Sequence, residues 1–125
     1  MKNLILKSTI ILSLLVMTSF TVKDNTTIAK KFIGVWEYSV PNAPYPYQTG
    51  TMTFSKAKKK ISGFISIEGN NIDMEKVVSK KDNLTCEIYI EGETVTFNLT
   101  FEKNSFSGTA SYSQGDLDIS GTKKE

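Results

Sequence analysis

Residues Leu84 to Phe101 read LTCEIYIEGETVTFNLTF, and this stretch decides the fold class. Apolar side chains alternate with polar ones on both sides of Glu91-Gly92, a pair that suits a two-residue hairpin turn. Successive side chains of a strand point to opposite faces, so a period of two gives one apolar face. The stretch therefore predicts two antiparallel strands joined by a tight turn.

The same alternation continues in both directions from this hairpin. It forms eight segments whose inward positions are Trp36, Tyr38 and Val40; Met52 and Phe54; Ile61, Gly63, Ile65 and Ile67; Ile72 and Met74; Leu84, Cys86, Ile88 and Ile90; Val95, Phe97, Leu99 and Phe101; Phe106, Gly108, Ala110 and Tyr112; and Leu117, Ile119 and Gly121. Short connections pair each strand with the next one, and closure removes both bare edges of the sheet. We predict an all-β, eight-stranded, up-and-down antiparallel barrel over residues 32–125, with an open sheet as the alternative.

Residues 1–22 have the layout of a secretory signal peptide. A basic start precedes a mostly apolar run from Ser8 to Met17, which is shorter than the roughly 20 residues of a membrane-spanning helix. We predict cleavage near residues 19–22 and a secreted or periplasmic protein without a transmembrane span, with a retained anchor as the alternative. No Cys lies near that point to form a lipoprotein anchor. Residues 23–31 are predicted to be a flexible lead-in that can form a short helical turn.

The charge of the mature chain is balanced. Removing Lys2 and Lys7 leaves thirteen lysines and thirteen acidic residues. Bulk charge therefore gives no reason to expect a nucleic-acid partner.

The residues of common catalytic and metal sites are scarce. The chain has no His and no Arg, and its single Cys86 falls at an inward position that predicts a buried, inert thiol. The acidic pairs Glu91 with Glu93 and Asp116 with Asp118 fall at turns or on the solvent face, where a water-excluded acid and base are not expected. We predict no enzyme activity, no cofactor and no metal site.

Residues Lys31 to Tyr38, KFIGVWEY, resemble the opening of the calycin superfamily. Lipocalins and fatty-acid-binding proteins enter their first strand through a short helical turn and a Gly-x-Trp motif. With the predicted meander, the chain resembles small lipocalin-like domains of secreted bacterial proteins. The resemblance implies that Gly34 and Trp36 plug the closed end of the barrel. The Arg that usually stacks over this Trp is absent, with Lys123 a partial substitute, and fatty-acid binding is not implied.

All three prolines lie in the connection VPNAPYPYQTG, Val40 to Gly50. Proline lowers the entropy lost on ordering, so this segment is a candidate lid over a ligand site. The residues predicted to contact a ligand are Tyr45 and Tyr47 as stacking platforms and Gln48, Asn70 and Gln114 as hydrogen-bonding groups. The equal alternative is that the tyrosines merely pack on the barrel wall.

Lysines are predicted to gather at the opposite end of the barrel, because alternate turns of a meander lie at the same end. The proposed patch for an anionic surface consists of Lys58, Lys59, Lys60, Lys80 and Lys81. Solubility and edge protection are the simpler interpretation of these lysines.

Two function classes remain open from the sequence. The first is a non-catalytic binding protein that takes a small apolar or glycan-like ligand at the open end. The alternative is an envelope interaction or inhibitor module with a filled core that acts through its surface. Seven inward aromatic rings slightly favour a filled interior, since a barrel of this size is either just filled or holds one small ligand.

Overall fold

The computed structural model describes residues 30–124, so the predicted signal peptide and most of the predicted lead-in lie outside the described residues. The described chain forms one antiparallel sheet of nine strands: β1 (Gly34–Ser39), β2 (Thr49–Ala57), β3 (Lys60–Ile67), β4 (Asn70–Asp73), β5 (Glu75–Lys80), β6 (Asn83–Ile90), β7 (Glu93–Glu102), β8 (Ser105–Tyr112) and β9 (Gly115–Lys123). Within this range there is no helix of the length and apolar character that crossing a membrane requires.

The sheet curls because its first and last strands pair with each other. β1 lies between β2 and β9, with Trp36 opposite Met52 on one side and opposite Lys123 on the other. The resulting strand order is β4-β3-β2-β1-β9-β8-β7-β6-β5. The prediction of an all-β antiparallel barrel is confirmed, in a nearly closed form.

The predicted count of eight strands is wrong, because the fourth segment divides in two at Met74. Its first half, β4, pairs with β3, whereas its second half, β5, pairs with β6. The register shifts between Glu75 and Val78, and Lys76 has a φ of 53°. A bulge of this kind bends a strand away from its neighbour. β4 and β5 therefore form the two edges of the sheet, and the seam between them keeps the barrel from closing completely.

The predicted hairpin turn at Glu91-Gly92 is confirmed. Glu91 has a φ of 51° and Gly92 a φ of 79°, as a type I′ turn requires. Alternate connections lie at the same end of the barrel. The upper end carries the 40–48 connection and the turns at 68–69, 91–92 and 113–114; the lower end carries the turns at 58–59, 81–82 and 103–104. At the lower end Lys31 pairs with Asp82, and the Lys123 amide donates to the Asn104 carbonyl over 2.8 Å.

An aromatic cluster fills the lower half of the barrel. The Phe101 ring centroid lies 4.8 Å from Trp36, 5.0 Å from Phe32, 5.1 Å from Phe106 and 6.2 Å from Phe54. All five side chains are buried. Four of them lie on strands, at positions predicted to face inward, and Phe32 precedes β1. The contacts of Phe101 with Phe32, Trp36 and Phe54 are edge-to-face, and such contacts add to the free energy gained from burial.

One glycine makes room for this cluster. A Cβ atom at Gly121 of β9 would lie 2.4 Å from the Phe106 ring, so the ring packs directly on the glycine backbone. The inward position predicted for Gly121 is thus explained by close approach of a ring.

We predict that Phe101→Ala lowers the free energy of unfolding by about 3–5 kcal/mol, because it removes the ring at the centre of the cluster and leaves a cavity. Urea unfolding followed by circular dichroism measures this change. Phe64→Ala, at a half-buried position on the outer face, is the matched control and should cost clearly less. Equal losses for the two variants would contradict the central role of the cluster.

Candidate functional site

The upper half of the barrel is hollow. It contains a cavity of about 300 Å³ whose wall comes from β1, β3, β6, β7, β8 and β9. Most of the wall is apolar, and its aliphatic part consists of Ile65, Ile67, Ile88, Ile90, Val95 and Leu117. The sequence left open whether side chains fill the barrel or leave a cavity. The structure shows a filled lower half and a hollow upper half.

The Pro/Tyr connection forms the roof of this cavity. Val40, Ala43, Pro44 and Tyr47 line the cavity from above. The connection is held by its own backbone: the Val40 amide donates to the Gln48 carbonyl over 2.7 Å, and the Tyr47 amide donates to the Pro44 carbonyl over 2.7 Å. The Gln48 side chain donates to the Ala43 carbonyl over 3.0 Å. The roof is therefore an ordered turn structure.

A hydrogen bond fastens the roof to the opposite wall. The Tyr47 hydroxyl donates to Glu91 Oε2 over 2.6 Å. This bond, with the negative charge of the carboxylate, raises the pKa of the Tyr47 phenol above its usual value of 10.0. The phenol is therefore protonated at neutral pH and available as a donor to Glu91.

The rim of the cavity is acidic. Glu91 and Glu93 both line it, and Glu93 accepts hydrogen bonds from Ser113 Oγ over 2.7 Å and from the Ser113 amide over 3.3 Å. Glu68 lies in a neighbouring turn of the same end. The two ion pairs formed by described residues are Lys31 with Asp82 and Lys76 with Glu87. Within that part of the chain, no lysine is paired with the rim carboxylates.

Tyr38 places a polar group inside the cavity wall. Its side chain is only 4% exposed, and burial raises the pKa of its phenol to about 12. The ring lies across Gly50, where a Cβ atom would come within 2.9 Å of the hydroxyl oxygen. No described residue forms a hydrogen bond with this hydroxyl. Within residues 30–124, every side-chain N or O atom that is completely enclosed has a partner, so the Tyr38 hydroxyl is not completely enclosed. The Tyr38 hydroxyl therefore faces open space, which the cavity beside it provides.

The structure brings only some of the predicted ligand-binding residues together. Tyr47 and Gln114 line the cavity. Tyr45 points to solvent with 81% exposure, and Gln48 is engaged with the roof backbone. Asn70 begins β4 and is exposed. Sequence reasoning did not name Tyr38, Glu91 and Glu93 as cavity residues. The available signals were the inward position of Tyr38 and the alternation of turns, which places Glu91 and Glu93 at the lid end.

Gly34 and Trp36 lie at the lower end. Trp36 is fully buried, and its Nε1 donates to the Phe32 carbonyl over 3.1 Å. The Lys123 Nζ lies 5.7 Å from the centroid of the Trp36 ring, within the range of a cation–π contact. The Lys123 side chain also covers Gly34, where a Cβ atom would come within 2.8 Å of it.

The predicted lysine patch lies at this same end. Lys58 and Lys59 form the β2–β3 turn, Lys60 begins β3, Lys80 ends β5 and Lys81 occupies the next turn. All five side chains are exposed. The barrel is thus basic below and acidic above.

Groups for covalent or metal chemistry are few in this structure. Burial raises the pKa of the Cys86 thiol to about 12, so the thiol is protonated at neutral pH. In the part of the chain that the structure describes, no group of three or more His, Cys, Asp and Glu side chains is arranged to hold a metal ion.

The fold and the cavity define a small antiparallel β-barrel with a partly hollow interior. The chain matches no protein-family model and no curated protein. Among solved structures it is similar to a redesigned β-barrel, with a TM-score of 0.54 and 18% identity over 78% of this chain and 96% of that chain. It is also similar to the redesigned β-barrel mFAP1 bound to DFHBI, with a TM-score of 0.51 and 16% identity over 78% of this chain and 98% of that chain. These likenesses establish the barrel fold alone.

We predict that Tyr47→Ala loosens the roof, because it removes the hydrogen bond to Glu91. Hydrogen–deuterium exchange should become several-fold faster at the Val40 and Ala43 amides, whose bonds lie within the roof. Tyr45→Ala is the matched control in the same connection and should leave these rates unchanged, since Tyr45 is exposed. Similar acceleration in both variants would show that the Tyr47 bond does not hold the roof.

Proposed function

We propose that this protein is a non-catalytic binding protein that holds a small, mainly apolar ligand in the upper cavity. The observation that carries the proposal is a cavity of about 300 Å³ with an aliphatic wall and an ordered roof. Known ligand cavities measure about 300–1,000 Å³ and combine apolar walls with a few polar groups. The redesigned barrel mFAP1, bound to DFHBI, supports the view that a fold of this kind can hold a ligand.

We further propose that the domain is lipocalin-like and is secreted or periplasmic, as in bacterial proteins of this kind. The buried Trp36 in its Gly-x-Trp motif supports this assignment, as does Lys123 over the Trp36 ring in place of the usual Arg. The layout of residues 1–22 supports export by a signal peptide.

The absence of catalysis remains part of the proposal. A conventional Ser–His–Asp triad cannot form in a chain without His, and Cys86 lies in the core with a raised pKa. Glu91 and Glu93 accept hydrogen bonds from neutral donors at the exposed rim, an arrangement that suits ligand recognition.

We predict that Ala110→Phe strongly weakens ligand binding and leaves the fold intact, because the added ring occupies a cavity that is empty of side chains. Prodan, an uncharged dye whose emission shifts to the blue in apolar surroundings, is the probe. Its affinity should fall at least about tenfold in the variant, with an unchanged or higher melting temperature.

Ala57→Phe is the matched control, since Ala57 is exposed at the lower end of β2. This variant should bind prodan like the natural chain. Absence of a blue shift with the natural chain, or equal binding by Ala110→Phe, would contradict a ligand site in the cavity.

A second candidate function is adhesion of the lower end to an anionic lipid surface. It is favoured by the separation of charge, with five exposed lysines at 58–60 and 80–81 at the end opposite the acidic rim. Such a separation orients a molecule even when its net charge is near zero. This function would leave the upper cavity open to solution, so the two candidates are compatible.

We predict that the protein binds vesicles of phosphatidylglycerol and phosphatidylcholine and releases them as salt rises, because exposed charges are screened beyond about 8 Å at physiological ionic strength. Replacing Lys58, Lys59 and Lys60 together by Gln should weaken binding roughly tenfold or more in a sedimentation assay. Lys76→Gln, which changes a lysine on β5 paired with Glu87, should have little effect. Equal binding to pure phosphatidylcholine vesicles would exclude this function.

A further inference from the structure

We propose that the ligand of the upper cavity is a compact cation with two polar ends: an amine held at the acidic rim, and a hydrogen-bonding group that meets the Tyr38 hydroxyl inside. This inference rests on the proposed binding function and specifies its ligand class.

The rim carboxylates favour a positive charge. Glu91 and Glu93 line the same cavity, and each is fixed by a neutral donor, the Tyr47 hydroxyl at 2.6 Å and the Ser113 hydroxyl at 2.7 Å. The ion pairs among residues 30–124 involve neither of them. A neutral donor leaves the negative charge of a carboxylate in place, so an ammonium group at the rim would gain attraction from both.

The wider charge distribution disfavours an anionic ligand. Glu68 and Asp116 lie in or beside turns of the upper end, whereas the lysines of the turns lie at the lower end. The potential at the mouth is therefore negative, which repels a carboxylate or phosphate group on approach. A fatty acid, the ligand of one calycin family, is disfavoured on this ground alone.

Tyr38 independently indicates a polar group on the ligand. Its side chain is more than nine-tenths buried, and its hydroxyl forms no hydrogen bond with any described residue. The hydroxyl is not completely enclosed and faces the cavity, so a ligand group placed there can supply a hydrogen bond that no described residue supplies. Burial also keeps the phenol protonated, so it can donate or accept.

The dimensions of the cavity limit the ligand to a small molecule. About 300 Å³ is at the lower limit of the usual range for ligand sites. The rest of the cavity wall is mainly apolar and includes Ile88, Ile90 and Val95. A single aromatic ring with an aminoalkyl group at one end and a hydroxyl group at the other meets all three requirements.

Tyramine is such a molecule, and related compounds remove one feature at a time. Phenethylamine lacks the hydroxyl group, para-ethylphenol lacks the ammonium group, and para-hydroxyphenylpropionate carries a carboxylate in its place. In isothermal titration calorimetry at low salt, tyramine should bind roughly three- to tenfold tighter than phenethylamine or para-ethylphenol. The carboxylate should bind weakest, and added salt should reduce the preference for tyramine over para-ethylphenol.

Substitutions assign each preference to its residue. The double variant Glu91→Gln with Glu93→Gln should lose the preference for tyramine over para-ethylphenol and keep the one over phenethylamine. Tyr38→Phe should show the reverse pattern. The matched controls are Glu102→Gln at the lower end and Tyr89→Phe at an exposed position, and both should keep the two preferences.

Several outcomes overturn the inference. Equal affinities for all four compounds, or tightest binding of the carboxylate, would exclude a cationic ligand with two polar ends. If none of the four binds while prodan binds and Ala110→Phe blocks it, the ligand class is wrong and the binding function stands. If prodan also fails to bind, both proposals fail. Should either variant not fold, the order of the four compounds on the natural chain decides the matter.

Discussion

The packing of rings around Phe101 is the interaction on which the rest of the structure depends. Phe32 precedes β1, Trp36 lies on β1, Phe54 on β2, and Phe101 and Phe106 lie on β7 and β8. The cluster therefore joins strands that are far apart in the sequence and holds β1 against the end of the meander. In the absence of a disulfide within the described chain, burial of these rings is the main source of stability at this end.

The five clustered rings fill only the lower half of the barrel. The upper wall combines aliphatic side chains with the rings of Tyr38, Tyr47, Phe97 and Tyr112, and these side chains leave about 300 Å³ empty. The roof then has to cover this space, and it does so with an internally hydrogen-bonded turn fastened to Glu91. The stabilising ring cluster and the proposed binding site thus lie at different ends of one small barrel.

The alternation of turns adds a charge separation to this division. Antiparallel strands return to the same end after every second turn, so acidic turn residues such as Glu68 and Glu91 collect above while Lys58 and Lys81 collect below. A chain whose formal net charge is only +2 therefore presents two ends of opposite sign. The negative end surrounds the cavity, so a ligand at the proposed site would meet a negative potential.

The sequence by itself determined the strands, their inward faces and the tight turns, because these follow from local alternation and from residues such as Gly92 that tolerate positive φ. Tertiary structure decided the rest. The bulge near Lys76 divided one predicted strand into two, since Val77 and Val78 interrupt the alternation and the strand must change partners from β3 to β6. Tyr45 and Tyr47 share one loop, yet only Tyr47 faces the cavity, because the direction of a side chain in a turn depends on the backbone path. The alternation of the sequence predicts that Tyr38 faces inward. Whether another residue hydrogen-bonds its hydroxyl depends on side chains from distant strands, which only the tertiary structure positions.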